Sequence, residues 1–199
     1  MIKRQPILAL FVAAYTIGFG ALAARNGNQE FVFYTLVMVA FIAGAILLDR
    51  RVRFSIETLW SLAIWGLLHM AGGNLQVAGD VLYNYRPFSD LPRYDQVIHF
   101  YGFFSATLAA GECLRAAFPP QAWRVSTGVA IALACVGMGL GAVNEVIEFI
   151  ATLIVEDTNV GDMTNTGWDL VANMLGACSA AAYLRARSSR ASPATGTVA

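Results

Sequence analysis

Three pairs of ionisable or amide side chains stand inside apolar stretches of the sequence. The members of each pair are three or four positions apart, and the pairs are Asp95 with His99, Glu145 with Glu148, and Asp169 with Asn173. This spacing places both members of a pair on one face of an α-helix. An ionisable group near the centre of a bilayer costs about 2.5 kcal/mol or more, so each face is expected to point into the protein. The pairs therefore predict one polar site between helices.

The residue types in these pairs are those of a metal site. Imidazole nitrogens and carboxylate oxygens ligate Zn²⁺, Mn²⁺ or Mg²⁺, and such a cation activates water for attack on a substrate. The predicted ligands are His99, Glu145, Glu148 and Asp169. The predicted catalytic carboxylates are Glu145, Glu148 and Asp95, and Asp95 either orients His99 or is itself a ligand. Without a cation, this many carboxylates would require protons or positively charged partners.

Five polar residues are predicted to support these ligands or to contact a substrate: Asp95, Asn173, His69, Asn144 and Asp162. Structural explanations stay open for several of the positions. Asp95 and Asp169 suit helix N-termini, where capping and the helix dipole favour a carboxylate. The two glutamates are compatible with a hydrogen-bond network between helices, and the isolated His69 is compatible with a simple hydrogen-bonded histidine.

The composition of the 199-residue chain indicates a membrane protein. Hydrophobic residues make up 57% and charged residues 13%, against about 25% charged residues in soluble domains. Stretches of about 20 apolar residues cross a bilayer, and candidates cover residues 6–24, 31–48, 54–78, 95–118, 125–155 and 168–184. The predicted fold is an all-α transmembrane bundle of six spans in one domain, residues 1–184. Residues 185–199 are predicted to form a basic, then polar, disordered tail.

Lysine and arginine residues are distributed unequally between the two sides of this arrangement. Six spans put both termini on one side, which holds ten of the 13 Lys and Arg residues, while three lie on the other side. The positive-inside rule therefore predicts cytoplasmic N and C termini. The polar pairs then lie at similar depth towards the extracytoplasmic side, in spans three to six, with spans one and two at their flank. The first span resembles a signal peptide, but its apolar stretch exceeds the usual length of about 7–15 residues, so a retained span is expected.

Small and aromatic residues add two structural expectations. Gly137 and Gly141 form a small-xxx-small pattern that favours close packing of the fifth helix. An aromatic belt at the membrane interface is predicted from Tyr83, Tyr85, Tyr94 and Trp168.

Three motifs carry a resemblance to a known family. They are DQVIHF at 95–100, NEVIE at 144–148 and GWDLVANMLGA at 167–177. Together they resemble the YjdF-like family of bacterial inner-membrane proteins, over roughly residues 30–184. More distantly, the motifs are similar to VanZ-like proteins, which are associated with glycopeptide resistance, although Glu148 stands where that pattern usually has Gln. The resemblance implies a multi-pass protein of the bacterial inner membrane and no established reaction.

Three classes of function follow from these observations. The leading prediction is a cation-dependent role on a lipid or cell-envelope component, with membrane lipids and a lipid-like or lipid-linked ligand as partners. The alternatives are a non-catalytic ligand-binding or envelope-resistance module and a proton- or cation-coupled transporter. The inner halves of the spans read as almost wholly apolar and no internal repeat is evident, which disfavours the transporter. The sequence has no basic patch with interleaved aromatic residues, so nothing in it indicates a nucleic-acid partner.

Overall fold

The computed structural model describes residues 4–88, 92–119 and 123–190, and within them six helices dominate. The helices are α1 (Pro6–Asn26), α2 (Gln29–Val52), α3 (Ile56–Asn74), α4 (Tyr94–Ala117), α5 (Thr127–Ile154) and α6 (Met163–Arg190). Two short strands, β1 (Gln76–Val77) and β2 (Asp80–Val81), and a 3₁₀ turn at Leu82–Asn84 follow α3. The predicted all-α architecture is confirmed.

Four of the six helices are long and apolar enough to cross a membrane. They are α1, α2, α4 and α5. The other two helices do not meet this criterion; α3 contains His69, and α6 contains Asp169 and Asn173. The protein is therefore a multi-pass membrane protein.

The third and sixth helices depart from their predicted bounds, and at the third a tight turn ends the helix early. The third helix ends at Asn74 rather than at residue 78, and an antiparallel hairpin pairs Val77 with Asp80. The hairpin turn has Ala78 at φ 54° and Gly79 at φ 88°, the left-handed pair that a type I′ turn requires. The sixth helix extends over 163–190, so residues 185–190 are helical where a disordered tail was predicted. The remainder of that predicted tail, 191–199, lies outside the described residues.

Four of the helices have a side-chain cap at their N-terminus. Asn28, Ser55 and Ser126 accept hydrogen bonds from backbone N–H groups three residues later, at the starts of α2, α3 and α5. Asp162 does the same before α6, accepting from the N–H of Asn165 at 2.9 Å. Each cap satisfies a backbone donor that the helix itself leaves free.

Small residues allow α4, α5 and α6 to pack closely. A side chain at Gly176 of α6 would collide with the backbone carbonyl of Phe100 in α4. On α5, Gly137 faces Thr107 and Ala177, and Gly141 faces Asn173. The predicted packing face of Gly137 and Gly141 is thus confirmed, and it brings the polar residues of α6 against α5.

The helices α1, α2 and α3 form the other part of the bundle. The ring of Phe31 covers Gly73 so closely that a Cβ there would overlap it. At the far end of the same helices, Arg4 donates hydrogen bonds to Asp49 and to the carbonyl oxygen of Phe54. These contacts hold α2 and α3 together at their two ends.

One end of the bundle gathers the connections 27–28, 75–88 with 92–93, and 155–162, and we call it the site end. A contact across it joins the start of α2 to the last connection, since Glu30 accepts a hydrogen bond from the backbone of Asn159 at 3.0 Å. All three predicted polar pairs lie towards this end.

Candidate functional site

His99 lies between the three predicted pairs and is 6% exposed. Its Nδ1 is 3.0 Å from Oδ1 of Asn173 and 3.4 Å from Oε1 of Glu145. Its Nε2 is 3.5 Å from Oδ1 of Asp95 and 3.5 Å from Oε1 of Glu148. Residues of α4, α5 and α6 therefore surround a single imidazole, and the structure brings the three pairs together.

Asp169 is fully buried and is satisfied by neutral amide donors. Its Oδ1 accepts from Nε2 of Gln96 at 3.1 Å, and its Oδ2 accepts from Nδ2 of Asn165 at 2.6 Å. The same Nδ2 of Asn165 lies 3.2 Å from Oδ2 of Asp95. Burying a carboxylate is unfavourable unless its oxygens are hydrogen-bonded, so the two amides account for the presence of Asp169 in this position.

Glu145 is not satisfied in this way. Its Oε1 accepts from Nδ2 of Asn173 at 3.2 Å. Its Oε2 is buried and has no hydrogen-bond partner among the described residues. Leaving a buried acceptor unpaired costs about 1–3 kcal/mol, and more for a charged group. This oxygen therefore indicates a missing proton, water or cation.

Glu148 lies one turn further along α5. Its Oε1 accepts from Nδ2 of Asn144 at 2.6 Å and is also the atom 3.5 Å from His99. Asn144 therefore orients one of the two glutamates, whereas Asn173 orients the other together with the imidazole.

Two overlapping groups have atoms close enough to share a metal ion. One comprises His99, Glu145 and Glu148, and the other comprises Asp95, His99 and Asp169, with the ligand atoms of each group within 4.8 Å of one another. The four predicted ligands are thus divided, since Asp169 groups with Asp95 and not with the glutamates. Both oxygens of Asp169 already accept hydrogen bonds, so the first group offers the better cation site.

A small polar cavity adjoins this cluster, with a volume open to water of about 20 Å³, room for about one water molecule. It is lined by Glu30, Tyr34, His69, Tyr83, Asp95, Glu148, Asn159 and Val160. The expectation that only spans three to six build the site is wrong, because α2 contributes Glu30 and Tyr34. Glu30 was detectable from sequence as an acid at the start of the second span.

His69 lines the cavity and pairs with Tyr83. The Tyr83 hydroxyl is 2.6 Å from Nδ1 of His69. Burial raises the pKa of the Tyr83 phenol well above its usual range, so the hydroxyl stays protonated. Tyr83 therefore lines the cavity and is not part of an aromatic belt. Trp168 is 60% exposed, which is compatible with a place in such a belt.

Sequence reasoning missed the amides Gln96 and Asn165. Asn165 is four residues before Asp169, so the same helical spacing that selected the pairs would have placed it on their face. Gln96 had no such signal, because its role depends on contact between α4 and α6. Asp162, expected near the site, serves as the N-cap of α6 and supports Asn165 from there.

A second polar cluster lies between α3 and α4, away from the site end. Glu112 accepts hydrogen bonds from the hydroxyls of Ser55 and Thr58 at 2.6 and 2.8 Å. Further along, the Ser61 hydroxyl is 2.6 Å from that of Ser105. The expectation of almost wholly apolar inner halves is wrong for this interface. Hydropathy does not reveal these polar residues, because it is averaged over a window in which most residues are apolar.

Comparison with models of protein families gives a match over most of the chain. A family model described as "Predicted membrane protein (DUF2238)" matches residues 7–190. No curated protein and no solved structure matches the chain.

Proposed function

The chain belongs to this family of predicted membrane proteins, and we propose that it binds a divalent cation at His99, Glu145 and Glu148 to act on a lipid or cell-envelope component. The observation that carries the proposal is the buried Oε2 of Glu145, which has no hydrogen-bond partner among the described residues. A cation would supply the partner that this oxygen lacks.

The distances within the cluster support a cation as well. The separations of His99 from Glu145 and Glu148 are 3.4 and 3.5 Å, longer than the usual N–H···O distance of about 2.7–3.2 Å. Two ligands of a tetrahedral Zn²⁺ at about 2.1 Å are about 3.4 Å apart. Because the two glutamates face different nitrogens of the ring, each distance suits an ion that His99 shares with that glutamate. An ion held by all three residues is supported by ligand atoms that lie within 4.8 Å of one another. Mn²⁺ and Mg²⁺ accept the same ligand types.

The remaining residues have roles that follow from their contacts. A bound divalent cation lowers the pKa of water and polarises a substrate oxygen. Asp95 lines the polar cavity beside His99, which supports it as the group that accepts a proton there. Asn173 holds both the His99 ring and Glu145, which supports a positioning role.

We further propose six spans with cytoplasmic N and C termini in a bacterial inner membrane. Of the arginines in the described residues, three lie at the site end, namely Arg25, Arg86 and Arg93, and nine lie at the opposite end. That imbalance supports an extracytoplasmic site. The resemblance to YjdF-like proteins, and more distantly to VanZ-like proteins, belongs to the same proposal.

A proton- or cation-coupled transporter is the second candidate. The hydrogen-bonded groups of Ser61, Ser105 and Tyr101 favour it, because they extend polar chemistry along α3 and α4 away from the site end. A coupled transporter requires such polar groups on both sides of its central site.

The deciding experiment is the metal content of detergent-purified protein, measured by mass spectrometry. Near-stoichiometric Zn²⁺, Mn²⁺ or Mg²⁺ is expected in the wild type and is expected to be lost in His99→Ala and Glu145→Gln. Glu57→Gln is the matched control, since the Glu57 side chain is 68% exposed at the opposite end. Equal metal content in Glu145→Gln and in the wild type would contradict the proposal.

A further inference from the structure

A second cavity, which is apolar, opens between α2 and α3. Its volume open to water is about 120 Å³, against about 20 Å³ for the polar cavity. Its walls include Val37, Met38 and Ala45 from α2 and Leu62 and Trp65 from α3. We call it the groove.

The groove ends at the polar site. Tyr34 and His69 line both the groove and the small polar cavity. Asn144, which also lines the groove, donates to the site residue Glu148 at 2.6 Å. An apolar channel and a polar cavity that share two wall residues form one amphipathic space.

The length of the groove matches a hydrocarbon chain in one leaflet. Its wall on α3 runs from Leu59 to His69, which is about 15 Å at 1.5 Å per residue. The hydrocarbon core of a bilayer is about 30 Å thick. A chain in the groove would therefore run from the polar site to about the bilayer centre.

The charge of the polar cavity restricts the headgroup. Glu30, Asp95 and Glu148 line it, and no Lys or Arg residue is among its described lining residues. Glu145 adds a fourth carboxylate beside His99. One divalent cation at His99 balances only two of these four carboxylates, so a negatively charged headgroup would be repelled.

We infer that the groove holds the single hydrocarbon chain of an amphiphile whose headgroup carries no negative charge and reaches the polar cavity. The inference rests on the proposed function, because it names the substrate class of that site. It deepens the proposal by excluding phosphate-terminated lipids as direct ligands and by giving α2 a role in selecting the substrate.

Photolabelling in phosphatidylcholine nanodiscs tests the inference. The probe is dodecylamine with a diazirine at its chain end, and the comparison probe is dodecyl phosphate with the same group. Labelling by the amine is expected near Ala45 and Leu59 and is expected to exceed labelling by the phosphate several-fold. Equal labelling by both probes, or labelling confined to lipid-facing side chains, would overturn the inference.

Filling the groove provides the matched variants. Ala45→Phe places a ring in the groove, and Ala43→Phe on the same helix places one on the exposed face, since Ala43 is exposed and lies outside the groove. A several-fold loss of labelling is expected in the first variant and no loss in the second. Val37→Phe repeats the filling test at another wall position, should Ala45→Phe not fold. Undiminished labelling in a folded filled variant contradicts the inference.

The metal content of the same samples separates this inference from the proposed function. Groove labelling in protein that holds no metal supports the groove and removes the cation-dependent role. Bound metal without groove labelling supports the cation site and overturns the groove inference.

Discussion

Gly141 of α5 faces Asn173 of α6 so closely that a Cβ at Gly141 would lie 2.8 Å from the Cβ of Asn173. Asn173 in turn contacts both Nδ1 of His99 and Oε1 of Glu145. The absence of one side chain on α5 therefore sets the position of the amide that orients two residues of the proposed cation site.

Gly141→Ala is expected to displace Asn173 and thereby lower metal affinity about 10–100-fold, the range seen when groups that orient metal ligands are changed. Overpacking should also cost about 1–3 kcal/mol of stability. Metal titration by calorimetry and a melting temperature measure the two effects. Gly139→Ala is the control, because a Cβ at Gly139 has no neighbour within 4 Å. Equal losses in both variants would indicate a general helix effect.

Glu145→Gln is expected to remove metal binding without lowering the stability of the metal-free protein. The substitution removes a buried charge whose Oε2 has no hydrogen-bond partner among the described residues, so the fold loses little. Glu112→Gln should do the opposite, because Ser55 and Thr58 donate to that carboxylate. Its cost is expected to be about 1–3 kcal/mol, with metal retained. Thermal unfolding in chelator together with metal analysis distinguishes the two outcomes.

Asp169→Asn is expected to destabilise the protein by about 1–3 kcal/mol. Both Asp169 oxygens accept from amide NH₂ groups, those of Gln96 and Asn165. An amide at position 169 would turn its own NH₂ towards one of these donors. The melting temperature should fall, whereas Asp157→Asn in the exposed connection before α6 should leave it unchanged. An unchanged melting temperature for Asp169→Asn would refute the assigned donor pattern.

Stability is expected to fall at high pH through Tyr83. Burial holds the pKa of this phenol well above its usual range in the folded protein. In the unfolded chain the pKa of the same phenol is about 10. Above that pH the unfolded state binds fewer protons, so the free energy of unfolding decreases as pH rises. Tyr83→Phe should show a flatter decline between neutral and alkaline melting experiments. Tyr85→Phe, in the same segment, should follow the wild type. Parallel curves for all three proteins would count against a buried neutral Tyr83.

Much of the site was predictable because its signals are local. Asp95 and His99 share a helix face by spacing alone, and hydropathy requires that face to point away from lipid. The same reasoning selected Glu145, Glu148 and Asp169, which the structure gathers around His99. The packing role of Gly141 was also predictable from sequence, because the pattern that indicates it consists of Gly141 and Gly137, one turn apart.

The end of α3 was not predictable from hydropathy. An apolar stretch continues beyond Asn74, but the left-handed turn at Ala78 and Gly79 starts a hairpin there instead. That hairpin leads to Tyr83, which consequently packs on His69 rather than facing the membrane interface. Hydropathy and spacing placed Tyr83 at the membrane interface because they do not give the direction of the chain after a turn.

The sequence by itself determined which helices form, which of their faces are polar and how the positive charges divide between the two ends. These properties depend on residues within one or two helical turns and on transfer of side chains between water and lipid. The tertiary structure alone decided that Asp169 is satisfied by Gln96 and Asn165 while Oε2 of Glu145 is not. It also decided that Glu30 reaches the cavity and that the groove meets it at Tyr34 and His69. Those relationships depend on the lateral packing of helices distant in sequence, which no local spacing encodes.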